Sequence, residues 1–172
     1  DNDNDGDILL LGGDYTSLES ENLQWINDEG TFTPLNTLIR GYAISYTDFG
    51  DYDRDGDMDL LVLGAHINNY NYQAKRDFDD GVVEWNLSIY KNQGNNLFVP
   101  VSQNIEAYIP STYIHQIHWL DVNNDGTLDI VLQQDNQVFM IEQTSDGSFV
   151  QAKSMHIQDQ FTFSTYGDFN ND

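Results

Sequence analysis

The 172 residues carry 29 Asp and Glu against six Lys and Arg, a formal net charge of −23. Such a chain repels nucleic-acid phosphates and anionic lipid and attracts cations, while 39% hydrophobic and 13% aromatic residues supply a core for one folded domain. It has no cysteine, which excludes disulfides and thiol chemistry, and no apolar run approaches the roughly 18 residues of a membrane helix, so membrane insertion is not expected.

The first element, "DNDNDGDILLLGG", is an acidic loop running into an apolar strand. It starts without Met or leader, as expected of a piece of a larger chain or assembly. "LQWINDEGTFTPL" follows: an aromatic strand, a polar turn and a strand led by Phe32. Next comes "FGDYDRDGDMDLLVLGAH", with aspartates at 51, 53, 55, 57 and 59, Gly56 among them, and an abrupt apolar run Leu60–Leu63. An insertion, "HINNYNYQAKRDFDDG" (66–81), precedes "LSIYKNQGNNLFVPV", the second aromatic strand, turn and Phe98-led strand. "YIHQIHWL" then leads into "DVNNDGTLDIVL" (121–132), which repeats the acidic frame. "VFMIEQTSDGSFVQA" repeats the aromatic strand, with Phe149 as its marker. Finally "FTFSTY" leads into a last partial loop, "GDFNND".

Self-similarity on this scale indicates a repeat architecture. Short runs rich in β-branched and aromatic residues, separated by turn residues, with no sustained helical period, give an all-β fold. Each unit supplies about four short strands, as in a β-propeller blade. The expected organisation is a single repeat domain, 1–172, with about three units, 1–50, 51–120 and 121–167, and the start of another at 168–172. As a partial propeller, it would leave sheet edges for other blades or neighbouring copies to cover.

Carboxylates crowded at alternate positions repel one another unless a cation lies between them. All-oxygen donors suit Ca²⁺, which takes about 6–8 oxygens at roughly 2.3–2.6 Å. The proposed ligands are Asp51, Asp53, Asp55 and Asp59 in one loop and Asp121, Asn123, Asp125 and Asp129 in the other. Asp57 and Thr127 vary at position 7, as residues do when they ligate through the backbone carbonyl. An EF-hand is excluded because position 12 is Val62 or Leu132 and a β-run, not a helix, follows. Zn²⁺ is disfavoured because no Cys or His joins the cluster; Mg²⁺ suits the same oxygen donors but prefers to keep its waters. The first copy has two possible registers. Read from Asp1, it places Asp1, Asp3, Asp5 and Gly6 correctly but has Leu9 at the closing position; read with Asp7 as the closing residue, Asn4 replaces the glycine. The last copy, Asp168, Asn170 and Asp172, lacks its closing half.

With these loops in view, the sequence resembles the FG-GAP/VCBS repeat family of integrin-α-like and bacterial surface-protein propellers. Phe49-Gly50 and Gly64-Ala65 match its two namesake elements, with His66 in place of the proline. The loops at 51–59 and 121–129 match its metal site position by position. The resemblance implies calcium-binding propeller blades. It leaves the biochemical role open, because such propellers serve adhesion, assembly and partnership with catalytic domains.

Other candidates carry less. His115 and His118 are three apart on a predicted strand and therefore face opposite sides. Trp25, Trp85 and Trp119 read as core. Tyr70, Tyr72, Lys75 and Arg76 in the insertion make a candidate recognition loop, and Asn86 heads a glycosylation sequon. No nucleophile motif, phosphate-binding glycine loop or HExxH is present, so no enzyme activity is expected. The expected function is a calcium-binding extracellular or cell-surface module for adhesion, recognition or surface assembly, with a protein or glycan ligand or neighbouring copies of itself as partner. The alternatives are a filament subunit or an accessory domain of a polysaccharide-active enzyme.

Overall fold

The structure, a computed structural model, describes residues 6–13, 20–35, 38–42, 44–68, 82–94, 97–103, 105, 108–109, 114–134 and 136–156. These residues form eleven β-strands in three antiparallel sheets. The first contains β1 (Ile8–Gly13), β2 (Ser20–Asp28) and β3 (Thr31–Leu35). The second is β4 (Ile44–Gly50), β5 (Asp59–Asn68), β6 (Val82–Asn92) and β7 (Phe98–Val101). The third is β8 (Gln116–Leu120), β9 (Asp129–Gln134), β10 (Gln137–Gln143) and β11 (Phe149–His156). In each sheet, strands adjacent in sequence are adjacent in space, which is the meander of a propeller-type blade.

The sheets are offset from the sequence units. The strand before each complete acidic loop pairs with the strand after it: Gly50 lies opposite Asp59 and Leu120 opposite Asp129. Each loop is therefore a connection within one sheet, at the end of its first strand pair. Among the described residues the first sheet has three strands, β1 standing where β5 and β9 stand in the others.

The uninterrupted apolar run of β5 follows from its position. Leu61 and Leu63 belong to a core shared with Ile117, Trp119, Ile130, Leu132, Ile141 and Phe149 of the third sheet. Leu60 and Val62, on the opposite face, pack with Ile39, Tyr42, Tyr90 and Phe98, and Leu9 and Leu11 of the first sheet rest against that group. A strand covered on both faces shows no polar alternation. At roughly 25 cal/mol per Å² of apolar surface removed from water, such double burial makes β5 the best-anchored strand of the second sheet.

Two glycines are fixed by close approach. A Cβ on Gly64 would lie 2.1 Å from the ring of fully buried Tyr42, and a Cβ on Gly50 would lie 2.7 Å from Leu128 and 2.8 Å from Trp119. Tyr42 is held there by donating a hydrogen bond from its hydroxyl to Asn86 Oδ1 at 2.9 Å. The glycines of Phe49-Gly50 and Gly64-Ala65 thus mark where one chain segment crosses directly over another. Of the three tryptophans, Trp119 is buried and stacks on Tyr52 (centroids 5.7 Å apart, planes at 6°), Trp85 is half-buried and stacks on Tyr46, and Trp25 is half-buried on β2.

Candidate metal centre

The two complete loops fold alike, and their aspartates do most of the folding. Asp51 accepts the N–H groups of Asp55 and Gly56 at 3.0 and 3.1 Å; Asp121 accepts those of Asp125 and Gly126 at 3.1 and 2.8 Å. Asp55 takes the N–H of Asp57 at 3.0 Å, and Asp125 that of Thr127 at 2.8 Å. The closing residues Asp59 and Asp129, both fully buried, reach in two directions. Each takes an N–H from inside its own loop, Tyr52 or Val122, at 3.2 and 3.0 Å, and one from the neighbouring strand, Asn92 or Gln143, both at 2.8 Å. The chain curls tightly enough for this because positions 4 and 6 are left-handed: Arg54 (φ 62°) and Gly56 (95°) in one loop, Asn124 (57°) and Gly126 (81°) in the other.

The bond between closing Asp and neighbouring strand also decides the register of the first copy. Asp7 accepts the N–H of Asn27 at 2.9 Å, as Asp59 does from Asn92. Asp7 is therefore the closing residue, and Asn4 occupies the glycine position. Asp1, Asp3, Asp5, Asp168, Asn170 and Asp172 lie outside the described residues, as do Tyr70, Tyr72, Lys75 and Arg76.

In the loop at 51–59 one carboxylate oxygen each from Asp51, Asp53 and Asp59 lies within 4.8 Å of the others. Two oxygens bound to one Ca²⁺ at roughly 2.3–2.6 Å can be no more than about 5 Å apart, so these three fit around a single hard cation. Asp55 stands aside from the triad: its Oδ2 receives the Lys91 ammonium at 2.9 Å, and the same ammonium also bonds Asp53. Burial pushes the Asp59 carboxyl up to about 6, with the like charges of Asp53 and Asp55 acting in the same direction. Burial likewise raises Asp129, where Asp125 and Glu142 add to it. A buried carboxylate held against its own desolvation, among other carboxylates, is a group that a divalent cation would relieve.

The loops open side by side onto a cleft of about 640 Å³, lined by Tyr52, Asp53, Arg54, Asp125, Thr127 and Asp146 among others. Hydrogen bonds from the Thr127 hydroxyl and N–H hold Asp125 below the usual carboxylate range, and the Arg54 charge adds to this. Asp146, in the β10–β11 turn, is drawn down to about 2 by hydrogen bonds from Thr144 and Ser148.

The remaining sequence candidates sit elsewhere. His115 donates its backbone N–H to Gln133, while His118 lies on β8 with Nδ1 3.5 Å from Asp48. Asn86 is in the middle of β6 opposite Gly64, its Oδ1 accepting from Tyr42 and Ser88. Lys91, Asn92 and Gln143 were not anticipated as parts of the site. The equal lengths of "NQGNNLF" and "QTSDGSF" before the marker phenylalanines already align Asn92 with Gln143 and Lys91 with Glu142. Only the strand register shows that these residues face the acidic loops.

Among the described residues no helix is long and apolar enough to cross a membrane. No curated relative and no solved structure matches the chain. The FG-GAP-like repeat model matches residues 79–132 and 121–172, more than half of the chain and including the loop at 121–129. The loop at 51–59 lies outside those segments and is tied to the same pattern by its shared hydrogen-bond frame. On these two matched repeats, the chain belongs to the FG-GAP-like repeat family.

Proposed function

We propose that the chain is a non-catalytic, calcium-binding propeller segment that works outside the cell in adhesion, recognition or surface assembly, with a protein, a glycan or further copies of itself as partner. The observation that carries the calcium reading is the Asp51–Asp53–Asp59 triad, three oxygens within 4.8 Å in a loop whose frame recurs at 121–129. Asp51, Asp53 and Asp59, joined by Asp55 once Lys91 is displaced, would hold the ion in the first loop, and Asp121, Asn123, Asp125 and Asp129 in the second. Bound calcium supplies charge neutralisation and cross-linking of the loop, which fixes the start of β5 or β9. The carboxylates are engaged with their own loops' N–H groups, an arrangement suited to holding an ion rather than to exchanging protons with a substrate. Modest-affinity calcium modules operate where calcium is millimolar, and this supports the extracellular assignment.

Calcium that binds only the folded loops stabilises by mass action, about 2.7 kcal/mol per site at one hundred times Kd. Thermal unfolding of the chain in millimolar calcium and in excess chelator is expected to show a clear fall in Tm on chelation, restored by calcium in preference to magnesium. An unchanged Tm would refute the reading.

A further inference from the structure

The two loops differ where it matters most to a cation. The loop at 51–59 has five aspartates, whereas the one at 121–129 has three, with Asn123 at position 3 and Thr127 at position 7. Affinity in such loops rises with ligand charge, so a count of carboxylates ranks the first loop as the tighter calcium site.

The neighbouring strand reverses that ranking. Asn92 and Gln143 donate the equivalent N–H groups to Asp59 and Asp129, which aligns the residues just before them, Lys91 and Glu142. The Lys91 ammonium bonds both Asp53 and Asp55, two of the four proposed side-chain ligands. It thereby occupies the carboxylate at position 3 whose counterpart, Asn123, is neutral. In the other loop Glu142 puts a negative charge near Asp129 and no lysine is supplied at that place. Arg54 lies beside Gly126 and acts on Asp125 through its charge, whereas Lys91 bonds two carboxylates of the first loop directly. Calcium entering the first loop must displace a tethered ammonium; calcium entering the second meets an additional carboxylate nearby.

We propose that Lys91 is a built-in competing cation that lowers the calcium affinity of the loop at 51–59, so that the loop at 121–129 fills first and the other only at higher calcium. This rests on the calcium reading above. A graded pair of sites would let one blade stay ordered at low calcium while its neighbour responds to a rise. The ammonium also offsets part of the first loop's negative charge when calcium is absent.

The test is calorimetric titration of Ca²⁺ into the full chain with one loop silenced at a time. Asp55→Asn weakens the first loop and Asp125→Asn the second; both positions are exposed, and Asn keeps an Oδ1 that can accept the N–H of residue 57 or 127. The D55N/D125N double variant gives the baseline. The Asp125→Asn protein, reporting the first loop, is expected to bind more weakly than the Asp55→Asn protein. Adding Lys91→Met to Asp125→Asn should tighten binding roughly three- to tenfold, the scale of two exposed ion-pair contacts. Adding it to Asp55→Asn should leave affinity unchanged. In chelator Lys91→Met should lower Tm, and calcium should narrow that gap. Equal affinities of the two loops, or a Lys91→Met variant that binds no tighter at the first loop, would overturn the proposal. If wild type and the double variant take up calcium equally, neither loop binds it, and the calcium reading itself falls.

Discussion

The blades that carry the two complete loops are built on one plan and balanced differently. Backbone geometry is shared in detail: left-handed residues at positions 4 and 6, an opening Asp that caps the turn, and a buried closing Asp that ties the loop to the next strand. Charge is not shared. The first loop gathers five aspartates and receives Lys91; the second gathers three and receives Glu142. The lesson is that the two loops share the way they fold, whereas the charge around each is set by a residue on another strand. Packing differs too, since Gly64 of β5 lies under Tyr42 while the equivalent residue of β9 is half-buried Gln134.

The packing difference gives the largest expected effect. Gly64→Ala places a methyl group into the ring of Tyr42, which is fully buried and hydrogen-bonded to Asn86, so it should cost about 3 kcal/mol, at the upper end for overpacking. Gln134→Ala, at the matching place in the other blade, should change stability by no more than about 0.5 kcal/mol. Chemical denaturation of both variants measures the contrast, and similar losses would show that the two strands are packed alike.

Proton linkage bears on both loops at once. In chelator, folding holds Asp59 at about 6 and Asp129 also above its ordinary value near 4. The native state therefore binds protons that the unfolded chain takes up only nearer pH 4, and stability should rise as pH falls from 7 to 5. Below about 4 the sign changes, because Asp146 at about 2 and the depressed Asp55 and Asp125 favour the fold only while ionised. In saturating calcium the first slope should disappear or reverse, since protons and calcium compete for the same buried carboxylates. Urea midpoints at pH 7, 6 and 5, with and without calcium, provide the measurement. Parallel profiles in the two conditions would separate these carboxylates from the metal.

The smallest expected effect concerns position 4. Arg54 and Asn124 adopt the same left-handed backbone, which costs Arg more than Asn. With calcium bound, Arg54→Asn should stabilise by about 0.5 kcal/mol and Asn124→Arg should cost a similar amount. Equal Tm values for both variants and wild type would indicate that the left-handed turn relaxes freely.

Much of the loop geometry is legible in the sequence. The five-position frame, the glycine at position 6 and the closing Asp were read from spacing because consecutive residues of a tight loop must share one local geometry. The all-β architecture followed from short β-rich runs and turn residues. Spacing alone left two registers for the first loop, and the hydrogen bond from Asn27 to Asp7 selects one of them. The left-handed φ of Arg54 also carried no signal, since arginine does not advertise that conformation.

The sequence by itself therefore determined what neighbouring residues settle among themselves: the loops with their crowded carboxylates, the strands and the repeat. Tertiary structure alone decided what depends on residues distant along the chain. The register of β5 against β6 brings Lys91 to the acidic loop, the crossing of Tyr42 requires Gly64 to lack a side chain, and sheets on both sides bury β5 on two faces. The physical reason is range. Backbone sterics and the repulsion of adjacent carboxylates act over a few residues and leave a periodic trace, whereas an ammonium arriving from another strand is positioned by hydrogen-bond register and leaves none.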